Sequence, residues 1–405
     1  MEPPLVLDPS GQHLHAEAAE LRKQGPIARV TLPGDVVAWS VTRSDVLRRL
    51  LNDRRVSRDG WQHWPAIHDI PQDWPLYLWV ATRSMFTSYG ADHKRLRSLV
   101  TQAFTARRIA TLRPRVEAIV AELLDTIAAE PAGQVVDLKA AFAHPLPIAV
   151  ICHLFDVPVE VRPALQRAYE VLWQPGASPA VSLAAHQELY AILDGLLTAK
   201  RATPGEDLTS ALIAARAMDE GAKLSEAELI DTLLLFISAG HETTVSLLDQ
   251  AITAMLTHPD QLTLVRSGEV SWADVIEETL RWEAPVAYVP LRYAVDDIDV
   301  DGVVIRKGEA ILVNFAAASR DPAVHGDTAD TFDVTRADKS HVSFGHGVHY
   351  CIGAPLARME AMIALPALFE RFPAMSFAVP PRQLTHLDTF ISNGHRELPV
   401  LRAGR

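Results

Sequence analysis

Residues 344–358 read FGHGVHYCIGAPLAR. Three glycines, Gly345, Gly347 and Gly353, surround Cys351, and an apolar helical pattern begins directly after it. Glycines around the cysteine, followed by a helical pattern, predict a loop that places one sulfur atom at the N-terminus of a helix. Free backbone N–H groups and the positive end of the helix dipole favour a thiolate there, which is the form in which cysteine binds a metal.

Two other interpretations of this cysteine follow from the residues alone. A single cysteine in a glycine-rich turn is more often a small buried hydrophobic residue than a ligand. His346, His349 and Cys351 could also begin a zinc site, although no second cluster supplies the remaining ligands at zinc-site spacing. On the loop alone, both alternatives stay open.

The whole stretch resembles the haem-binding loop of cytochromes P450, Phe-Gly-x-Gly-x-His-x-Cys-x-Gly-x-x-Leu-Ala-Arg, at every defined position. The resemblance implies that Cys351 is the axial thiolate of a haem b iron, in a loop that includes Gly353. It also implies that Phe344 packs near the sulfur and that His349 faces a haem propionate. A thiolate ligand favours O–O cleavage, so oxygen activation is expected rather than oxygen storage. The implied fold is mainly α with a smaller β-rich region, and haem lies between the long central helix and the helix that follows the cysteine loop.

A long buried helix is predicted to begin after a capping box of Ser225 and Glu228 and to end at His258-Pro259-Asp260. Its apolar run is interrupted by residues 239–244, AGHETT, where a buried acid is costly unless it serves a purpose. The segment resembles the oxygen-activation motif of the central P450 helix. The resemblance implies that Gly240 opens a groove for dioxygen, that Glu242 relays protons and that Thr243 assists dioxygen activation.

Alternatives for this helix follow from the residue types. Threonine hydroxyls that bond to backbone carbonyls could stabilise a kink, above all at Thr244. His241-Glu242 might begin the HExxH motif of zinc peptidases, but Val245 occupies the place of the second histidine.

Glu278 and Arg281 carry opposite charges three residues apart on one helix face, a spacing that usually marks a solvent-facing ion pair. Their position between the two motifs above resembles the Glu-x-x-Arg pair of P450s. Residues 332–336, FDVTR, resemble the meander whose arginine completes that network. The resemblance implies a structural role in forming the haem pocket for Glu278, Arg281 and Arg336.

Haem propionates need charge-assisted partners. His93 and Arg97, at i and i+4, resemble the propionate-binding helix of the family, and Arg292 matches the strand arginine of many bacterial members. A solvated basic face is the alternative for His93 and Arg97. One departure from the family is Ser319, where asparagine is common before Arg-Asp-Pro, and we expect it to affect local packing only.

The resemblance implies an apolar substrate pocket. The residues expected to line it are Trp79, Phe236, Ala239, Val286, Val289, Phe390 and Ile391. Residues 73–76 and 83–85 look like those of actinobacterial P450s that hydroxylate steroids and macrolide-like compounds. The aromatic residues of the 57–90 loop could equally pack a lid.

Composition limits the remaining possibilities. The chain has 405 residues and a formal net charge of −12, and this negative charge argues against a nucleic-acid binder. It has only two cysteines, which is consistent with a reducing compartment. No signal peptide, membrane anchor or internal repeat is apparent, so we expect one soluble, cytoplasmic domain over residues 1–405 that acts as a monomer.

The implied function is a monooxygenase that inserts one atom of O2 into an apolar organic substrate, such as a steroid, a macrolide-like compound or another natural product. Electrons would come from a ferredoxin and a ferredoxin reductase. Lys94, Arg95, Arg107 and Arg108 could form a basic patch for an acidic ferredoxin, or could be ordinary solvated charges. The alternatives are a peroxide-driven or oxidative-coupling haem-thiolate enzyme and a haem-binding sensor.

The remaining patterns predict a β-hairpin at the edge of the fold over 27–42, helices over 43–52 and 91–130, and an irregular aromatic segment over 57–90. Residues 286–316 have strand character with a Lys307-Gly308 turn, and 375–405 mixes strand and loop.

Overall fold

The computed structural model describes residues 4–172, 179–215 and 223–402. The chain forms two compact units. The first comprises residues up to Thr82, residues Val120–Pro145 and residues from Glu242 on, and the second comprises Arg83–Ile119 and Leu146–His241. The expectation of one domain over the whole chain stays a prediction.

Helices dominate the described residues, as the sequence predicted. The α-helices are α1 (Leu14–Gln24), α2 (Ser44–Asn52), α3 (Gly60–His63), α4 (Tyr77–Ala81), α5 (Gly90–Ala103), α6 (Ala106–Thr111), α7 (Arg113–Ala129), α8 (Pro145–Leu154), α9 (Arg162–Leu172), α10 (Pro179–Ala202), α11 (Leu208–Ala214), α12 (Glu226–Thr257), α13 (Pro259–Ser267), α14 (Trp272–Trp282), α15 (Phe315–Ser319), α16 (Pro322–His325) and α17 (Ala354–Arg371). Short 3-10 turns lie at Pro33–Asp35, Pro65–His68, Gly326–Thr328, Gly347–His349 and Pro381–Gln383, and a π-helical turn lies at Lys139–Ala143.

The described strands all lie in the first unit. They are β1 (Leu5–Val6), β2 (Ile27–Leu32), β3 (Val36–Val41), β4 (Val56–Ser57), β5 (Val135–Asp137), β6 (Tyr288–Ala294), β7 (Ile298–Val300), β8 (Val303–Ile305), β9 (Ala310–Asn314), β10 (Ser376–Phe377) and β11 (Pro399–Leu401). The main sheet has the order β1-β2-β3-β9-β6-β4, and two smaller sheets have the orders β10-β11-β5 and β7-β8.

The hairpin predicted for 27–42 is present. β2 and β3 pair in antiparallel register from Ile27↔Val41 to Leu32↔Val36, and Gly34 takes a φ of 73° in the turn. The hairpin does not lie at the edge of the sheet, because β1 adds in parallel to β2 and β3 pairs in parallel with β9. The pairing with β9 joins segments far apart in the chain, which the local alternation pattern did not show.

The helical segment predicted for 91–130 is divided into α5, α6 and α7. Phe104 has a non-helical ψ of 75°, and the Thr105 hydroxyl accepts the backbone N–H of Arg108 at 3.2 Å. A threonine that caps a new helix competes with continuation of the old one. The prediction of one helical stretch was therefore wrong at this break.

The aromatic loop contributes largely to the core of the first unit. The Trp64 ring stacks on Tyr293 at 5.3 Å, and Trp74 Nε1 donates to the Pro33 carbonyl at 2.7 Å. Trp64, Trp74 and Tyr293 are all buried in a cluster with residues of the main sheet. Much of this segment thus packs the fold around the site rather than forming an open loop.

The second unit is built from helices, with α9 and α11 packed on α10 and α5 packed on α11. Its core includes Phe155, Leu189 and Leu193, none of which is exposed to solvent. The helix α12 begins in this unit with the expected capping box. The Ser225 N–H donates to Glu228 Oε2 at 2.9 Å, and the Glu228 N–H donates to Ser225 Oγ at 3.3 Å. Within the described part of the chain, no helix is long and apolar enough to cross a lipid bilayer.

Candidate active site

The loop of residues 344–351 is fixed by its own backbone and by α2. The Cys351 N–H donates to the Phe344 carbonyl at 2.9 Å, and Gly345 and Gly347 take φ values of 73° and 71°. A Cβ atom at position 347 would lie 2.6 Å from the Leu51 carbonyl oxygen. Glycine is therefore required at 347 both for the turn and for contact with α2.

Cys351 is half-buried directly before the first turn of α17, as the sequence predicted, with Gly353 as the N-cap residue. The other cysteine, Cys152, is buried in α8, and this burial raises the pKa of its thiol to about 11. A thiol with such a pKa is not a thiolate at neutral pH. The environment thus favours Cys351 over Cys152 as a metal ligand.

Phe344 is packed by an ion pair that the sequence analysis missed. The Arg358 guanidinium lies 4.5 Å from the centroid of the Phe344 ring, and its Nε and Nη2 donate to Glu277 at 2.6 and 2.9 Å. Burial alone would raise the pKa of Glu277, but hydrogen bonds from Arg358 and His341 outweigh it and lower this pKa to about 2. The ion pair thus holds a cation against the ring beside the cysteine loop.

Glu278, Arg281 and Arg336 come together, as the resemblance implied. Arg281 Nε and Nη2 each donate to the Glu278 carboxylate at 2.8 Å, both side chains are fully buried, and Arg336 Nε lies 3.3 Å from Glu278 Oε1. Arg281 also donates to the carbonyls of Ala329 and Thr331 at 2.7 and 2.8 Å. The solvent-facing pair that the spacing usually marks is excluded, because this network is buried and ties α14 to the segment 328–336.

Ser319 departs from the family but keeps a polar contact. Its side chain is buried at the end of α15, and its Oγ accepts the Val342 N–H at 3.4 Å. Val342 in turn accepts the Gly345 N–H at 2.7 Å. Ser319 therefore contacts the backbone just before the cysteine loop.

Arg292 carries a buried charge in β6. It is 5% exposed, its Nε has no hydrogen-bond partner, and desolvation lowers its pKa to about 10. No carboxylate of the described residues forms an ion pair with it. A buried cation without an ion-pair partner among the described residues favours a bound anion. A haem propionate is such an anion, so Arg292, the half-buried His349 and the half-buried Cys351 fit the cofactor.

The motif of α12 is divided between the units. Glu242 and Thr243 are half-buried in the first unit, and Thr244 there is buried. In the second unit, a Cβ atom at Gly240 would lie 3.3 Å from Ile151 Cδ1, and buried His241 makes an edge contact with Tyr169 at 5.1 Å. Close packing against α8 is one physical reason for glycine at 240. The Tyr169–His241 contact was missed, because nothing in the sequence links α9 to α12.

The other predicted propionate partners lie in the second unit. His93 is 5% exposed and Arg97 is half-buried, so a fully solvated basic face is wrong for His93. Of the candidate basic patch, Arg95 pairs with Glu228, and Arg108 Nη1 donates to the Asp207 carbonyl at 3.2 Å. Lys94 and Arg107 are the members of the patch that stay exposed.

Four of the residues expected to line the pocket share one apolar cluster of the first unit. Phe390 and Ile391 are buried in it, and Trp79 and Val286 pack against it half-buried. Val289 is buried in β6 of the same unit. In the second unit, Phe236 contacts the rings of Phe104 and Phe155 at 5.1 and 6.3 Å, and Ala239 is exposed. These two residues lie outside the cluster of the first unit.

Comparison with known proteins identifies the family of the chain. The family model described as Cytochrome P450 matches residues 183–267 and 273–387. The chain is 48% identical over 405 residues to a 2-hydroxy-5-methyl-1-naphthoate 7-hydroxylase of Streptomyces carzinostaticus, covering 99% of this chain and 98% of that protein. It is 40% identical over 392 residues to the 6-deoxyerythronolide B hydroxylase of Saccharopolyspora erythraea, covering 94% of each.

Solved structures are similar to this one over nearly the whole chain. The structure of CYP154A1 from Streptomyces coelicolor A3(2) is 52% identical, with a TM-score of 0.90 and coverage of 98% of this chain and 99% of that one. Testosterone-bound CYP154C4 from Streptomyces sp. ATCC 11861 is 44% identical, with a TM-score of 0.94 and coverage of 100% and 99%. The predicted fold class, enzyme class and haem b cofactor are thereby confirmed, and the chain belongs to the cytochrome P450 family as a monooxygenase of the bacterial type.

Proposed function

We propose that Cys351 is the axial ligand of the haem iron and that the chain hydroxylates an apolar natural product. The observation that carries the ligand assignment is the contrast between the two thiols. Cys351 is half-buried at the start of α17 in a loop fixed by glycines, whereas Cys152 is buried and keeps its proton. Haem, when bound, supplies the oxidising chemistry of the reaction.

The chain's own residues hold and surround the cofactor. Arg292 and His349 of the first unit would hold propionates. The same role is proposed for His93 and Arg97 of the second unit from the resemblance of their helix to the family's propionate-binding helix. Phe344 and Gly353 would enclose the sulfur. The Arg358–Glu277 pair keeps Phe344 in place, and the network of Glu278, Arg281 and Arg336 fixes the segment before the loop. The latter three are positioning residues, since the contacts described for them are to protein groups.

Proton delivery would depend on two neighbouring residues of α12. Glu242 and Thr243 are both half-buried, so neither is sealed from water nor freely solvated. The carboxyl group of Glu242 would take a proton from solvent, and the hydroxyl of Thr243 would pass it to the reacting oxygen through a hydrogen bond. Gly240, which has no side chain, would leave room for dioxygen.

The substrate class follows from the cluster and from the relatives. Trp79, Val286, Val289, Phe390 and Ile391 offer apolar surface in the first unit, and Phe236 and Ala239 offer it in the second. Relatives are named for hydroxylation of a naphthoate and of a macrolactone, and one neighbour was solved with a bound steroid. A polyketide-derived or steroidal compound is therefore the proposed substrate.

Electrons would come from a ferredoxin and its reductase, with the enzyme acting as a monomer in the cytoplasm. The chain has a net charge of −12, so an acidic ferredoxin needs a local basic surface to dock. Lys94 and Arg107 are exposed and supply part of that charge.

Spin-state titration and isotope labelling together test the function. Purified enzyme would be titrated with steroids, macrolactones, aromatic polyketides and fatty acids, and each binder would be incubated with a ferredoxin system under 18O2. We expect one class to shift the ferric spectrum and to gain one labelled oxygen atom. Turnover only with peroxide, or an oxidised product without label, would contradict the proposal and favour the peroxide-driven or oxidative-coupling alternative.

A further inference from the structure

A second buried arginine lies beside Arg292. Ser57, the last residue of β4, pairs with Tyr293 of β6, so Arg58 follows the strand beside the position of Arg292, and the charge of Arg292 acts on it. Arg58 Nη2 donates to the carbonyl of Pro290 at 3.1 Å, which holds its side chain along β6. Arg58, just after β4, and Arg292, in β6, are thus neighbouring buried arginines of the first unit.

The charges of this pair repel each other in a dry environment. Arg58 is 3% exposed and Arg292 is 5% exposed. Desolvation and then the charge of Arg292 lower the pKa of Arg58 well below its ordinary value. Like charges opposite each other on paired strands are destabilising, and burial removes the water that would screen them. Two neighbouring buried cations favour an anion that shares the site.

We propose that Arg58 and Arg292 together form a binding site for a carboxylate, in which Arg58 is a ligand-binding residue beyond those assigned above. The Nε of Arg292 is buried and has no hydrogen-bond partner, so at least one strong donor is available to the incoming group. Carboxylates are the anions that arginine binds best, through paired N–H donors in a fixed plane. Arg58, just after the adjacent strand, would add a second positive charge.

Two sources could supply the carboxylate, and the proposal rests on the proposed haem site in either case. A haem propionate would make Arg58 part of the cofactor site. A carboxyl group on the substrate would make it a specificity residue. The chemistry at the guanidinium is the same, so two assays on the same variants separate the sources.

The variants are Arg58→Gln, which removes the charge, and Arg58→Lys, which retains it. Arg55→Gln is the matched control, because Arg55 is exposed in the same segment and pairs with Asp53 at 2.7 Å. Circular dichroism would first establish that each variant is folded. If Arg58→Gln does not fold, Arg58→Lys is compared with the control in its place.

Haem transfer to excess apomyoglobin is the first assay. If a propionate is the ligand, Arg58→Gln loses haem roughly tenfold faster than wild type or more, the loss expected for one charge-assisted hydrogen bond. Arg58→Lys should fall between wild type and Arg58→Gln. Arg55→Gln should lose haem at a rate within about twofold of wild type.

Ligand binding is the second assay, with 1-naphthoic acid and its methyl ester as probes. If a substrate carboxyl group is the ligand, wild type binds the acid about tenfold more tightly than the ester, and Arg58→Gln abolishes this preference while its haem transfer stays normal. The proposal is overturned if both Arg58 variants behave like Arg55→Gln in both assays. The proposed haem site fails separately, if wild-type protein binds no haem.

Discussion

Removal of Arg281 should destabilise the protein more than almost any other single charge deletion. Its guanidinium makes two hydrogen bonds to Glu278 at 2.8 Å and one each to the carbonyls of Ala329 and Thr331, and neither side chain of the ion pair is exposed. The substitution Arg281→Met keeps much of the length of the side chain but leaves the Glu278 carboxylate with Arg336 as its remaining cation.

The size of the effect follows from burial. Loss of one partner from a buried ion pair costs about 3–5 kcal/mol, because the other charge stays in a medium of low polarity. For a chain of 405 residues, the entropy of unfolding near the midpoint is about 0.85 kcal/mol per degree. The expected fall in Tm is therefore about 4–6 °C.

Differential scanning calorimetry at one fixed scan rate measures this change. Arg371→Gln is the control, because the Arg371–Asp125 pair is exposed and its loss should move Tm by less than about 1 °C. The double variant Glu278→Leu/Arg281→Met should be no less stable than the worse single variant, since neither buried charge is then left without the other. A Tm of Arg281→Met within a degree of wild type, or strictly additive losses in the double variant, would refute this reasoning.

Three further changes test other parts of the structure. Burial raises the pKa of Glu360 to about 8, so the folded state holds a proton that the unfolded state releases, and stability is lost as the pH rises from about 4.5 to 8. Glu360→Gln should therefore raise Tm at pH 8 by several degrees and have little effect at pH 5. Equal gains at both pH values would exclude this cause. Gly347→Ala should lower Tm and haem content more than Gly133→Ala, because both glycines have positive φ but only a Cβ at position 347 would meet a backbone oxygen. Similar melting curves for the two variants would exclude this steric clash as the cause. Glu242→Gln should slow product formation roughly tenfold or more while substrate-induced spin shifts persist. Glu226→Gln, at the exposed start of the same helix, should match wild type in steady-state turnover. If Glu242→Gln turned over at the wild-type rate, Glu242 would have no role in proton delivery.

Features encoded by neighbouring residues could be predicted from the sequence. The capping box of Ser225 and Glu228, the length of α12 and the position of Cys351 at a helix start all depend on signals within a few residues. These features also carried the family resemblance. The fold class and the cofactor could therefore be predicted before any geometry was known.

Contacts between distant segments could not be predicted in the same way. The Glu277–Arg358 pair joins α14 to α17, and Arg58 meets Arg292 only because β4 pairs with β6. Each of these residues is an ordinary charge in its local sequence. Pairing of distant strands and burial of a charge are properties of the folded chain, so only the structure shows them.

The break between α5 and α6 has a different cause. The sequence predicted one helical stretch over residues 91–130. The Thr105 hydroxyl instead caps α6, and a single side-chain hydrogen bond is enough to end a helix where propensities are nearly balanced.

The absorption spectrum of the reduced, carbon-monoxide-bound protein tests the central claim most directly. Wild type and Cys152→Ala should both show the Soret band of a thiolate-ligated haem, because the Cys152 thiol is buried in α8 and protonated at neutral pH. Cys351→Ala should lose that band. A Cys351→Ala protein that retains the thiolate band, or a wild-type protein without it, would contradict the assignment of Cys351 as the haem ligand.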